Sequence, residues 1–162
     1  MSDLVLGIGD FGASATSGCA IKTYALGSCV AVIMLDPRTR TIGMIHIALP
    51  DSKINPSKVR ERPGYFADTG LPRLLEKMVA VSGNSNTRSY VVKLAGGASI
   101  MDPNDTFNIG KRNVLAAKKI LWANGMGPVA EDVGANYSRT VTVSVDTGEV
   151  TISCPGRGQW KI

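Results

Sequence analysis

The sequence is poor in the residues that most often carry chemistry. It has a single histidine, His46, and three cysteines, Cys19, Cys29 and Cys154, in 162 residues. No CxxC pair occurs and the cysteine spacings are unrelated, so a zinc site would lack ligands; no metal and no cofactor are expected. An odd set of cysteines without a pairing pattern reads as reduced thiols, of which at least one needs a reason, burial or chemistry. No apolar run approaches the roughly 18 residues of a membrane span, so membrane insertion is not expected. The opening MSDLVLGIGD has an acid where an export signal carries positive charge, which points to the cytoplasm. Aromatic residues are scarce, at 6%, and the 18 Lys and Arg form no block of five, so despite a net charge of +5 nucleic acid is not an expected partner.

What is present is an ordinary globular composition, 44% hydrophobic and 19% charged, in a length that favours one domain with one core. LVLGI at residues 4–8 reads as a short strand. Gly7–Ile8–Gly9–Asp10–Phe11–Gly12 formally matches GxGxxG, but ASATSGCA follows where a dinucleotide site needs a helix, so these are turn glycines. CVAVIMLD and TIGMIHIAL are apolar, β-branched runs around Asp36–Pro37–Arg38–Thr39, a β-hairpin whose near-continuous apolarity implies two covered faces. Residues 51–66 are polar and proline-containing, an exposed loop. A helix follows, capped by Asp68 or Thr69, with Leu71, Leu74, Leu75, Met78 and Val79 at helical spacing. SYVVKLAGG is a strand and ASIMDPNDTFNIG a long loop. Asn108 caps a second helix over about 110–123, with Val114, Leu115, Ala117, Ile120 and Leu121 as its stripe and Asn124–Gly125 as its stop. Residues 127–133 form a strand, and RTVTVSVDTGEVTIS a hairpin. Strands alternating with two helices indicate one α/β sandwich.

The hairpin holds the only histidine and one cysteine. Opposite residues of an antiparallel pair have numbers of constant sum. A turn centred between Pro37 and Arg38 gives 75, which is also Cys29 plus His46, and makes the two direct neighbours. A sum of 77 leaves them diagonal on one face; an even sum parts them. A thiol near an imidazole can pass it a proton and persist as a thiolate–imidazolium pair, a nucleophile. Gly27–Ser28 would let the backbone turn and aim the N–H groups of Ser28 and Cys29 at an oxyanion. The same residues also fit a packed thiol and a satisfied core histidine, and pattern alone does not separate the readings.

TYALGSCVAV, a DP turn and GMIHIALPDS, followed in order by FADTGLPRLLEKM, KLAGGASIM, FNIGKRNVLAAKKIL, AEDVGAN and RTVTVSVDTGEV, resemble the CheD family of chemoreceptor glutamine deamidases. The resemblance spans about residues 4–152 of a single CheD-like domain over 1–162, leaving 153–162 as a short C-terminal tail. It implies a three-layer α/β sandwich of mixed β-sheet with two main helices. It also implies a catalytic triad in which Cys29 is the nucleophile, His46 the base and acid, and Thr23, which spacing did not offer, the group that orients the His. It implies hydrolysis of receptor glutamines to glutamate with release of ammonia, methyl-accepting chemoreceptors as substrates, and, for some members, a CheC-type phosphatase docked on the loop after Gly96–Gly97, here Ala98–Pro103. Many members have Gly-Gly-Asn where this chain has Gly134–Ala135–Asn136, and Ala135 disfavours a positive φ. The 51–66 and Gly96–Gly97 loops are candidate rims of the site, and Arg60, Arg62, Lys111 and Arg112 candidate contacts for an acidic receptor surface. Alternatives are another cysteine hydrolase, such as a methylesterase or amidase, and a non-enzymatic adaptor. Cys19 and Cys154 read as packed small apolar residues.

Overall fold

The computed structural model describes residues 3–100 and 107–162. Two five-stranded sheets stack face to face, and helices cover the outer face of one of them. In chain order the strands are β1 (Leu4–Leu6), β2 (Phe11–Ser14), β3 (Ala20–Leu26), β4 (Val30–Asp36), β5 (Thr41–Ile47), β6 (Val91–Gly96), β7 (Pro128–Val133), β8 (Arg139–Ser144), β9 (Val150–Cys154) and β10 (Gly158–Lys161). The helices are α1 (Lys58–Glu61), α2 (Ala67–Ser82) and α3 (Ile109–Ala123). The first sheet runs β1-β3-β8-β9-β10 and the second β2-β5-β4-β6-β7. Each contains one parallel pair, β1–β3 and β6–β7, among antiparallel ones. The result is the expected three-layer α/β sandwich of mixed sheet.

The apolar runs of β4 and β5 are buried at every position, because β4 and β5 lie between two cores. Alternate residues Ala31, Ile33, Leu35, Ile42 and Met44 face the first sheet, where they meet Ile21, Leu26, Val141, Val143 and Ile152. The intervening Val30, Val32, Met34, Ile45 and Ile47 face Leu71, Leu74 and Met78 of α2 and Ala117 and Leu121 of α3. The period of two in a strand thus explains both covers.

Several local expectations change. The β4–β5 register has a sum of 77, with Ala31 opposite His46 and Asp36 opposite Thr41, not 75. The buried Asp36 carboxylate accepts from the Arg38 N–H and the Thr39 hydroxyl, and Arg40 adopts a φ of 54°, so the turn takes four residues. Neither Asp68 nor Thr69 caps α2. Phe66 occupies that position, Asp68 accepts from the Ser52 N–H and hydroxyl, and Thr69 donates to the Pro63 carbonyl. On α3 the buried positions are Gly110, Asn113, Ala117 and Leu121, whereas Leu115 is 48% exposed. Asn108 precedes α3 in the left-handed region, and Gly125 ends it. Residues 51–66 hold two 3-10 turns and α1 rather than loop alone. ASATSGCA begins inside β2, and β10 forms within the expected tail. Ala135 does take a positive φ, 60°. Cys19 and Cys154 are buried as expected.

A polar tie joins the two sheets at one end. Arg139 of β8, 1% exposed, pairs with Asp132 of β7 at 2.9 Å and donates to the Gly134 carbonyl. Trp160 of β10 donates to the second oxygen of Asp132. The guanidinium groups of Arg139 and Arg157 both lie over the Tyr137 ring, which also packs edge-on against Trp160. A buried charge held this way has its desolvation offset by a partner and hydrogen bonds.

Candidate active site

Thr23 and His46 meet across the gap between the sheets. Thr23 lies on β3 with its side chain fully buried, and His46 lies on β5, 3% exposed. The Thr23 Oγ1 and His46 Nδ1 are 2.7 Å apart, and Thr23 Oγ1 also lies 2.8 Å from the Leu6 carbonyl oxygen. A carbonyl only accepts, so the hydroxyl proton goes to Leu6, and the hydroxyl oxygen accepts from Nδ1–H. That assigns the tautomer: the imidazole proton sits on Nδ1 and the lone pair on Nε2. Nε2 is buried without a hydrogen-bond partner among the described residues. A β-bulge beside Thr23 accompanies this placement. Between the pairs Thr23–Val141 and Leu26–Arg139, Tyr24 and Ala25 oppose Thr140 alone, with Ala25 at a φ of 54°. Bulges of this kind re-aim strand side chains.

Cys29 stands one residue before β4, half-buried, and packs on the core between the sheets. It is two residues before Ala31, which faces His46. Cys29 and His46 therefore share a face as diagonal neighbours, for which strand geometry gives roughly 7–8 Å between Cα atoms and somewhat less between side chains. The expected direct pairing is replaced by the looser one.

The segment Gly27–Ser28–Cys29 is held by all three of its carbonyls. Ala98 N–H donates to Gly27 O at 2.9 Å, Asn113 Nδ2 to Ser28 O at 3.0 Å and Gly97 N–H to Cys29 O at 2.8 Å. The approach of β6 requires glycine at 96: its φ is 108°, and a Cβ there would collide with the Cys29 carbonyl oxygen. Gly27, by contrast, does not use a positive φ, so the segment turns without that freedom. In a planar trans peptide the C=O and N–H point opposite ways. The Ser28 and Cys29 N–H groups are thereby turned away from Ala98 and Asn113. Asn113 was not singled out from the sequence, although a polar residue on the buried stripe of α3 was a usable signal.

The electrostatics favour a neutral pair. Burial pushes the Cys29 thiol up, against a smaller stabilisation of the thiolate by its own backbone N–H. Burial lowers the His46 pKa from 6.5 to about 4, with the Asp10 carboxylate acting the other way. Both shifts favour a neutral thiol and imidazole over a thiolate–imidazolium pair. Asp10 is itself held, by Arg62 Nη1 at 2.8 Å and the Gly7 N–H. Arg62 also donates to the Ile8 carbonyl, with its side chain 47% exposed.

A cleft of about 270 Å³ opens beside the segment, lined by Gly27, Ser28, Ala98, Ser99, Ile100 and Phe107 and by the start of α3. The loop after Gly96–Gly97 borders this cleft and no residue of 51–66 does, while Cys29, His46 and Thr23 are not among its lining residues. Ile100 is exposed; the rest of the expected docking tip, Met101–Pro103, lies outside the described residues.

The chain matches the family model described as CheD chemotactic sensory transduction over residues 48–154. It is 63% identical, over the full length of both chains, to a probable chemoreceptor glutamine deamidase CheD of Syntrophotalea carbinolica. A probable chemoreceptor glutamine deamidase CheD 1 of Syntrophus aciditrophicus is 40% identical, with 96% of each chain covered. The chemoreceptor glutamine deamidase CheD of Thermotoga maritima is 37% identical, over 96% of this chain and 94% of the relative. The family-model match begins two residues after His46, whereas the relative from Syntrophotalea spans all three site positions.

Proposed function

The chain belongs to the CheD family, and on that premise we propose that it hydrolyses glutamine side chains of chemoreceptors to glutamate, with Cys29 as nucleophile. The observation that carries the reading is His46: buried, fixed at Nδ1 by Thr23 and left with a bare Nε2.

In this reading the glutamine carboxamide reaches the Cys29 sulfur on the side of the segment that the Ser28 and Cys29 N–H groups face. As the Cys29 sulfur attacks the carbonyl carbon, its proton passes to His46 Nε2. Transfer accompanies attack, because thiol and imidazole are both neutral at rest. The N–H groups of Ser28 and Cys29 receive the oxyanion. Collapse of the tetrahedral adduct breaks the C–N bond, and His46 returns the proton to the leaving amine, which departs as ammonia. A water then gives a proton to His46 and attacks the thioester. The thiolate leaves, is reprotonated, and glutamate is released. Thr23 offers a hydroxyl where a triad has a carboxylate, so it orients the ring while stabilising imidazolium less. The chain itself supplies every proton carrier in this sequence.

The reading places the protein in the cytoplasm, beside the cytosolic part of its receptors. Among the described residues no helix is long and apolar enough to cross a membrane. It also takes the exposed Ile100 at the cleft rim as part of the surface a CheC-type phosphatase would cover. Incubating a chemoreceptor cytoplasmic domain with wild type and with Cys29→Ala, and reading Gln-to-Glu conversion by peptide mass spectrometry, tests the reaction. Conversion is expected from the wild type alone; equal conversion by the variant rejects the mechanism.

A further inference from the structure

We infer that Asn113 is a positioning residue that sets the oxyanion-binding peptide and locks the nucleophile segment to the histidine strand. The inference rests on the deamidase reading above.

Asn113 is fully buried at the start of α3. Its single amide nitrogen donates to two carbonyls, Ser28 O at 3.0 Å and Ala48 O at 2.9 Å. Two carbonyl neighbours fix the amide orientation, since only the nitrogen can face them. Its Oδ1 is buried without a partner among the described residues, a desolvation cost that an apolar side chain would avoid. A residue kept for packing alone has no use for that expense.

Both carbonyls matter by position. Ser28 O belongs to the same peptide plane as the Cys29 N–H, so holding the one fixes the direction of the other. The flanking carbonyls of Gly27 and Cys29 are held by backbone N–H groups of Ala98 and Gly97. The central one has the Asn113 side chain. Ala48 lies one residue past β5 and two past His46. The β4–β5 ladder runs from Asp36–Thr41 to Val30–Ile47. Cys29 therefore lies beyond its last pair, where ladder hydrogen bonds no longer set the register. Asn113 bridges the two strands at that point. It does for the Cys29–His46 diagonal what a further ladder pair would have done.

The clamp acts on the transition state, not on ground-state binding, so it should appear in kcat. Loss of the clamp in Asn113→Ala is expected to lower kcat about 100-fold, the scale of a misplaced oxyanion donor, with KM changed less than about threefold. Leu121→Ala serves as control: it opens the same helix on its core face, away from the segment. Both variants are assayed on a receptor cytoplasmic domain well below their melting temperatures, beside Cys29→Ala. Kcat loss confined to Asn113→Ala supports the clamp. Retained kcat, a rise in KM alone, or an equal loss in Leu121→Ala overturns it. If Asn113→Ala does not fold, the near-isosteric Asn113→Asp, which lacks both donors when ionised, takes its place. Failure of both to fold makes Asn113 a folding residue and rejects the inference. Full activity of Cys29→Ala instead sinks the deamidase reading, whereas an inactive Cys29→Ala beside a fully active Asn113→Ala sinks the clamp alone.

Discussion

Thr23→Val isolates what one hydroxyl does. Valine keeps the shape and the β-branch of threonine, so the fully buried site at 23 is filled as before. What disappears is the oxygen standing 2.8 Å from Leu6 O and 2.7 Å from His46 Nδ1. Each bond contributes about 1 kcal/mol net, and buried groups left unpaired raise the total loss to about 2–4 kcal/mol. The kinetic effect is separate. Without an acceptor at Nδ1, the imidazole has no reason to keep its proton there, and the Nε2–H tautomer cannot take the thiol proton. Loss of orientation and tautomer together is expected to lower kcat about 100-fold, at the low end of what general-base catalysis supplies, because a hydroxyl partner does less than a carboxylate. The assay is the initial rate of Gln-to-Glu conversion on a receptor cytoplasmic domain, with urea unfolding at the same temperature to fix the folded fraction. Thr23→Ser restores the oxygen and should recover kcat to within about fivefold. A folded Thr23→Val enzyme with kcat within about twofold of wild type refutes the tautomer argument and removes Thr23 from the mechanism.

Two further outcomes follow from the same site. Because burial lowers His46 from 6.5 to about 4, the unfolded chain takes up this proton before the native one does. Stability should be untouched above about pH 6.5 and decline as pH falls to about 4, by up to about 3 kcal/mol. His46→Gln should lack this component, so parallel wild-type and variant profiles in urea titrations at pH 7, 5.5 and 4 would contradict the burial argument. Gly96→Ala adds a Cβ against the Cys29 carbonyl at a φ of 108° and should destabilise by more than about 2 kcal/mol, read as a lower urea midpoint; an unchanged midpoint would show that the β4–β6 approach is slack.

The elements with strong periodicity were legible before any coordinates. The β4–β5 and β8–β9 hairpins, the helices at 67–82 and 109–123 and the strand ending at Gly96 stand where their patterns put them. Strands β2, β3 and β10 were not visible: FGAS and GQWK carry little β signal and AIKTYAL no clean alternation, and all three take their conformation from the neighbours they pair with. Face-sharing of Cys29 and His46 was legible from parity, since sums of 75 and 77 are both odd. The register itself was not, because the Asp36 side chain captures two turn residues and lengthens the loop. The contact between Thr23 and His46 is a meeting of two sheets, and no spacing along one chain encodes it; family resemblance supplied it. The direction of the two pKa shifts was not legible for a related reason, since desolvation depends on what covers a residue from another layer.

The division of the site between two sheets gives its activity a second meaning. Thr23 stands on one sheet, while His46 stands on the other and Cys29 just before one of its strands. Neither sheet alone can bring the hydroxyl to the imidazole. In the proposed mechanism, competence therefore requires the layers to be docked in register, and Asp132, Arg139 and Trp160 tie the same two sheets. Under that mechanism, a chain with both sheets formed but undocked would show native-like secondary structure and no turnover, so turnover reports the docking of the two layers.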